Sequence, residues 1–479
     1  MKSVAFCTLG CKVNQYETDA MEELFLAAGY EIRPFGEAAD INIINTCTVT
    51  NIADRKSRQM LHRARRKNPD GIIVAVGCYV QAAAETLQSD KAVDLIVGNN
   101  KKSEIVTLVE AVLAQREGRD TKAAGRNSEA AGRNTEAADV LPGATVVSDV
   151  IDINHTSEYE SLHISKVSEH TRAYIKIQDG CNQFCSYCII PYARGRVRSR
   201  SVKDIVDEVT RLAAAGYKEI VLTGIHISSY GLDFDGEEYN HRTKDEHLIH
   251  LIETLADISG LERIRLGSLE PRIVTEEFTR RLSAIPKICP HFHLSLQSGC
   301  DATLLRMNRK YTAQQYDESC QILRKYFENP AITTDVIVGF PGETQEEFAA
   351  TEQFLEHIGF AEMHIFKYSR RQGTKAARMA DQVDENVKNI RSARLMALEH
   401  RLHDAFIGQW RGKNVDVLLE EAVTIDGKTY MTGHTKEYIR VAMDIQDAEN
   451  TIVHGKISLK LNEEFVICEK LIELSELLY

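Results

Sequence analysis

"RAYIKIQDGCNQFCSYC", residues 172–188, runs an apolar strand pattern directly into three cysteines spaced C-x3-C-x2-C, with Gly180 at the bend. A β-type run that stops at a glycine reads as a strand feeding a loop. Five further runs of this kind follow: KEIVLTG, RIRLGS, HFHLSLQS, TTDVIVGF and MHIFKYS. Helical patterns such as SVKDIVDEVTRLAAAG separate them, and Thr344 with Glu347 forms a capping-box pattern after GFPGE. The series predicts six parallel strands with helices outside, fewer than the eight that close a full barrel. Its functional residues then belong at the C-terminal ends of the strands.

Cys181, Cys185 and Cys188 sit on one such strand-end loop, where three thiolates can converge on one inorganic centre. A cubane iron-sulfur cluster normally takes four cysteines, so three leave one iron open to an outside ligand. Structural zinc wants four closed ligands, commonly as two C-x2-C pairs, and no partner pair is present. The spacing favours a cluster over zinc or unliganded thiols.

The first hundred residues show a second βα series. SVAFCTLG, NIINTC, GIIVAVGC and VDLIVG each precede an amphipathic pattern, which predicts an α/β domain with a doubly wound parallel sheet. Cys11, Cys47 and Cys78 fall at or just after those strand ends, where ligands gather in such sheets. Their shared position suggests a second three-cysteine site. The alternative is three small buried core residues, the reading that suits Cys7 inside VAFCTL. From about 119 to 160 the periodicity fails, and AAGRNSE followed by AAGRNTE reads as a linker. After about 410, NVDVLLEEAV, KTYMTGHTKEYIRVAM and KISLKLNEEFVI alternate as in a small antiparallel β-barrel, a fold that often binds RNA. The expected domains are therefore 1–118, a linker at 119–160, 161–409 and 410–479.

A chain of 479 residues exceeds what one core usually supports, and 43% hydrophobic content with nine prolines is ordinary for a soluble protein. No run of about eighteen apolar residues occurs, and MKSVAFCTLG lacks the pattern of a secretory signal, so a cytoplasmic protein without a membrane partner is expected. Eleven cysteines there stay reduced and suit metal or catalytic roles. The net charge of −12 argues against a uniformly basic nucleic-acid binder but leaves room for local basic patches. One such patch is the run from Arg55 to Lys67, with seven Lys or Arg, read as an RNA contact or a solvated helix face. GFPGET lacks the Walker spacing and lysine, which excludes a phosphate loop.

Together, "TLGCKVNQYE", "NTCTVT", "GCYVQ", the segment TRAYIKIQDGCNQFCSYCIIPYARGRVRSR, "SLEP", "HLSLQSGC" and "DVIVGFPGET" resemble the radical S-adenosylmethionine (SAM) methylthiotransferases over nearly the whole chain. The resemblance implies a partial (β/α)6 barrel and a C-terminal TRAM domain. It also implies two 4Fe-4S clusters and SAM as cofactors. Cys181, Cys185 and Cys188 would hold the cluster whose open iron chelates SAM, and reductive cleavage would give a 5′-deoxyadenosyl radical. Cys11, Cys47 and Cys78 would hold a second cluster that faces the first and supplies or handles sulfur. Tyr187, near the adenine or simply packing its loop, joins Gly224, Ser268, Glu270, Gln297 and Asp335 as implied cofactor contacts. For each polar one, a turn or cap hydrogen bond is the alternative. Arg194, Arg196, Arg198 and Arg200 are placed to contact the SAM carboxylate or RNA backbone, or to pair with acidic neighbours. One departure is Arg370 in YSRRQGT, where the family commonly has proline.

"TLGCKVNQYE" and "MTGHTKEYIRV" are most similar to the branch that methylthiolates C2 of N6-threonylcarbamoyladenosine at tRNA position 37, beside the anticodon. That activity implies tRNA, a low-potential electron donor such as flavodoxin or ferredoxin, and a sulfur source as partners. The alternatives are the same chemistry on isopentenyladenosine or a ribosomal-protein aspartate, and, from another class, a non-catalytic RNA-binding protein stabilised by metal.

Overall fold

β-branched runs buried on both faces form the sheet of the N-terminal part, as expected for parallel strands covered by helices. A computed structural model describes residues 2–129, 146–165, 171–234, 246–446 and 449–471. It divides into two units, Met1–Ile164 with Ile189–Arg196, and Ser165–Cys188 with Val197–Tyr479.

The first unit holds β1 (Ser3–Thr8), β2 (Glu31–Arg33), β3 (Ile41–Thr46), β4 (Ile72–Gly77), β5 (Leu95–Val97) and β6 (Val147–Asp149) in the order β2-β1-β3-β4-β5-β6. Every pairing is parallel. Ile41, Ile43, Val74 and Val76 face α1 (Lys12–Ala27) and α4 (Ile105–Glu129) through Met21, Phe25, Ile105 and Val109. Ile44, Ile73 and Ala75 face α2 (Asn51–Lys67) and α3 (Cys78–Gln88) through Leu61, Ala64, Tyr79 and Val80. The short α5 (Ile190–Arg194) packs in this unit as well. The sequence reading expected a linker from 119, yet residues 119–129 continue α4. Alanines and arginine in AAGRNSE propagate an existing helix at little cost. β6 then adds an edge strand from the same stretch, while residues 130–145, including AAGRNTE, lie outside the described residues.

In the second unit, β7 (Arg172–Asp179), β9 (Glu219–Gly224) and β10 (Arg263–Leu266) pair in parallel, with the two-residue β8 (Arg198–Ser199) antiparallel on the end of β7. β11 (His291–His293), β12 (Ala331–Val338) and β13 (Glu362–Lys367) form a second parallel set. The bridges Ile264–Ile288 and Leu269–Leu294 join the sets, giving the six-strand partial barrel. Around it run α6 (Val202–Ala214), α7 (Glu246–Ala256), α8 (Glu276–Ser283), α9 (Asp301–Arg306), α10 (Ala313–Tyr326), α11 (Gln345–Ile358) and α12 (Glu385–Trp410). α11 opens on the expected capping box of Thr344 and Glu347.

β14 (Asn414–Ile425), β15 (Lys428–Thr435), β16 (Arg440–Met443), β17 (Ile452–Lys460) and β18 (Val466–Lys470) close into a small barrel in the order β14-β15-β16-β18-β17. Its pairings are antiparallel except for the short parallel match of β16 with β18. Val417, Leu419, Val441 and Ile457 fill it and continue into Phe406 and Trp410 of α12 and Ala331 and Ala361 of the partial barrel.

A buried ionic joint fastens the small barrel to the strand starts. Glu219 accepts from Arg265 Nε at 2.7 Å and lies 3.6 Å from Arg263 Nη1. Arg263 donates onward to the carbonyls of His434 and Asp416, and Arg265 to that of Lys436. Arg172 pairs with Glu420 at 3.1 Å. Tyr438 stacks on His291 at 4.6 Å beneath the Arg265 guanidinium. Among the described residues, no helix is long and apolar enough to cross a membrane.

Burial alone would raise the Glu219 carboxyl, but Arg265, Arg172 and Arg263 outweigh it and bring it to about 2. Removing one member of a buried ion set leaves uncompensated charge, so Glu219→Gln is expected to destabilise the second unit by ~3–5 kcal/mol at neutral pH. A carboxyl depressed on folding contributes stability that is complete above its ordinary value of 4.5 and is lost as the pH falls toward about 2. Thermal unfolding of wild type and variant across that window checks this: the difference between them narrows on acidification.

Candidate functional site

The strand β7 delivers its cysteine loop into a set of backbone clamps. Gln178 Nε2 donates to the carbonyls of Asp179 and Gly180 at 2.6 and 2.7 Å, and Asp179 Oδ1 accepts from Gly180 N. Phe184 holds a left-handed φ of 49°, uncommon for a bulky residue, and its carbonyl accepts from Asn308 Nδ2 at 2.9 Å. Ser186 is tied to Arg306, Met307 and Ala376. The loop is thereby fixed from three sides before any ligand arrives.

Donors point at its sulfurs. Arg309 Nη1 donates to Cys185 Sγ at 3.3 Å and Gln183 N to Cys181 Sγ at 3.5 Å. Burial pushes the Cys181 thiol up to about 11, the neighbouring Cys185 adds to this, and Arg309 opposes it. Such a thiol gives up its proton when a metal takes the proton's place. Among the described residues, the group whose three ligand atoms lie within 4.8 Å of one another is His293, Asp335 and His364; neither cysteine trio closes to that spacing.

The other strand-end residues are placed as follows. Gly224 closes β9, and a side chain there would meet the Gln178 carbonyl at 2.9 Å. Ser268 is exposed just beyond β10. Glu270 is buried and accepts from Arg272 at 2.9 Å, with His226 Nε2 at 3.6 Å. Burial would raise its carboxyl, but His226 and Arg272 hold it at about 2, so it stays ionised. Gln297, left-handed at φ 73°, is spliced by its backbone to Asp335 and Ile337 of β12. Asp335 lies 3.3 Å from His293 Nε2. Tyr187 meets Phe340 edge-on at 6.4 Å and packs against the apolar cluster of Met307 and Tyr368. Arg370 closes its own turn by donating to the Ala377 carbonyl.

In the first unit the second trio stands at the ends of three neighbouring strands. Cys11 precedes α1 after β1, Cys47 follows β3, and Cys78 opens α3 after β4. Two glycines make this convergence possible. Gly10 has φ +107°, and a Cβ on it would sit 2.8 Å from Cys47 Cβ and 2.9 Å from Cys47 Sγ. Gly77 has φ +95°, and a Cβ there would meet Asn45 Oδ1 at 2.5 Å. Asn14 Nδ2 donates to the carbonyls of Leu9 and Thr46, binding the first two loops together. Burial raises the Cys47 thiol to about 11, with Cys78 and Cys11 near enough to add to it. Cys7 instead packs in the apolar layer with Leu61 and Ile44.

The arginines after the cysteines turn inward. Arg194, Arg198 and Arg200 are buried, pairing with Glu17, Asp179 and Glu208 respectively, so the acidic-neighbour reading holds for these three; Arg196 is exposed. On α2, Arg55, Arg58, His62 and Arg66 line an open basic groove, whereas Arg65 pairs with Asp94. The sequence reading missed Arg309, His226 and His293, which lie far along the chain from the groups they touch. HFH at 291–293 was the one local signal.

The radical SAM superfamily model matches residues 175–355, and a family described as uncharacterized protein family UPF0004 matches residues 3–98. The chain is 40% identical over 460 residues, 95% of its length and 94% of the relative's, to the threonylcarbamoyladenosine tRNA methylthiotransferase MtaB of Bacillus subtilis (strain 168). It is 33% identical over 419 residues, 86% of its length and 81% of the relative's, to the tRNA-2-methylthio-N(6)-dimethylallyladenosine synthase of Thermoanaerobacter sp. (strain X514). Among solved structures, the radical SAM methyltransferase TsrM from Kitasatospora setae, with cobalamin and a 4Fe-4S cluster bound, shares the fold at a TM-score of 0.53 and 19% identity, covering 78% of this chain and 77% of that one. A strand-end C-x3-C-x2-C loop on a partial barrel, carried by a chain this similar to its relatives from end to end, places the protein in the MtaB-like branch of the radical SAM methylthiotransferases.

Proposed function

We propose that this protein adds a methylthio group to C2 of N6-threonylcarbamoyladenosine in tRNA, beside the anticodon. The observation that carries the reading is the placing of two cysteine trios, each at the C-terminal ends of parallel strands and each with nitrogen donors aimed at a sulfur. An aromatic C–H offers neither an acidic proton nor a leaving group, so acid-base catalysis has little purchase and cofactor chemistry dominates.

Cys181, Cys185 and Cys188 are the residues that would hold the SAM-binding 4Fe-4S cluster, which supplies one-electron reductive cleavage of SAM. Cys11, Cys47 and Cys78 would hold a second cluster, dedicated to sulfur. The chain's own contribution is placement and charge. Arg309 and the Gln183 amide stabilise the thiolates of the first trio. Ionised Glu270 is an acceptor for an ammonium or hydroxyl group of SAM, and Asp335, Gln297, Ser268, Gly224 and Tyr187 complete the proposed contacts. The small barrel and the exposed basic groove of α2 are the surfaces offered to tRNA. A low-potential electron donor of the flavodoxin or ferredoxin class and a sulfur source complete the proposed partners, and a cytoplasmic location is proposed with them.

Mass spectrometry of tRNA nucleosides from a deletion strain tests the substrate. Loss of the 2-methylthio form of the threonylcarbamoyl nucleoside is expected; its persistence, with loss of the isopentenyl counterpart, would transfer the protein to the other branch. Anaerobically reconstituted protein should bind about eight irons per chain, and alanine replacement of either trio should leave about four. Gly10→Ala, whose new methyl strikes Cys47, should also fall to about four irons while retaining reductive SAM cleavage.

A further inference from the structure

Behind Cys78 lies a group of buried charges. Arg194, Lys102 and Glu17 have side chains with no solvent exposure at all. Arg194 is held on three sides: Nη1 donates to Glu17 Oε1 at 2.7 Å, Nη2 to Asn14 Oδ1 at 2.7 Å, and Nε to Cys78 Sγ at 3.1 Å. Lys102 lies 3.2 Å from Glu17 Oε2 and donates to Asn99 Oδ1 at 2.6 Å. Asn99 is itself oriented by donating Nδ2 to the Ala193 carbonyl at 2.7 Å, with Cys78 Sγ 3.7 Å from the same nitrogen. Two buried cations thus share the Glu17 carboxylate, and the guanidinium gives its remaining edge to a sulfur.

Buried cations are tolerated where anionic partners surround them. A sulfur accepts strongly from a guanidinium when it is a thiolate, the form in which cysteine binds metal. Hydrogen bonds and positive charge at a cluster's sulfurs stabilise its reduced, more negative state and raise its reduction potential. We propose that Arg194 is a positioning residue of the N-terminal cluster, fixing the Cys78 thiolate and, with Lys102, supplying the buried positive charge that raises that cluster's reduction potential. This rests on the reading of Cys11, Cys47 and Cys78 as cluster ligands.

The full-length chain with Cys181, Cys185 and Cys188 changed to alanine isolates the N-terminal trio. After anaerobic reconstitution with iron and sulfide, this parent should hold about four irons. If it holds none, the cluster reading itself fails, independently of Arg194. With iron bound, a potentiometric titration followed by electron paramagnetic resonance compares Arg194→Gln, Arg194→Lys and Lys102→Met in that parent. Arg194→Gln should lower the one-electron reduction equilibrium constant at least tenfold, a fall of about 59 mV. Lys102→Met should lower the midpoint in the same direction, and Arg194→Lys should recover part of the loss because it restores the charge without the Nε donor. A midpoint unchanged in both neutral variants, at full iron content, overturns the proposal. If Arg194→Gln does not fold, Lys102→Met decides alone, and an unchanged midpoint there is equally fatal.

Discussion

Parallel strands send their carboxyl ends to one edge of a sheet, and both units depend on that constraint. In the first, β1, β3 and β4 are neighbours, so residues distant in sequence arrive beside one another without a long loop to order. In the second, a single strand end carries all three cysteines, and the clamps on Phe184 and Ser186 replace the rigidity that adjacent strands give the first. The two solutions differ in what they demand of the chain. Convergence from three strands needs close backbone approach, hence Gly10 and Gly77; convergence on one loop needs side chains from elsewhere to pin the backbone.

Charge is handled in the same spirit. The arginine-rich stretch after Cys188 belongs largely to the interior, where Glu17, Asp179 and Glu208 receive it. Each of these pairs is buried, so removal of one partner is costly even where the pair as a whole adds little stability. Glu270 follows the same rule on the strand-end side of the barrel: Arg272 and His226 keep a buried carboxylate ionised where a polar cofactor is proposed to bind.

The sequence displayed strands and helices well because apolar periodicity reports burial directly. Six strand runs from RAYIKIQ to MHIFKYS correspond to the partial barrel, and the Thr344 capping box sits where the pattern put it. It misjudged 119–129, since small and polar residues that look like a linker also extend a helix already under way. The cysteine positions were legible from spacing and strand ends. Arg309, which touches Cys185 from 124 residues away, was not, because no local pattern encodes a contact made by topology. The inward turn of Arg194, Arg198 and Arg200 was equally hidden: a run of like charges looks exposed until its acidic partners are brought beside it.

The joint beneath the small barrel has an evolutionary corollary. Arg263 and Arg265 grip it by main-chain oxygens of Asp416, His434 and Lys436, acceptors that every amino acid possesses. The side chains of Asp416 and Lys436 take no part in these hydrogen bonds, whereas the His434 ring is buried, pairs with Glu420 at 2.8 Å and stacks on Tyr438 at 4.6 Å. The barrel is therefore held partly by main-chain acceptors, which leave positions 416 and 436 free to vary, and partly by the side chains of Glu420, His434 and Tyr438, which do not.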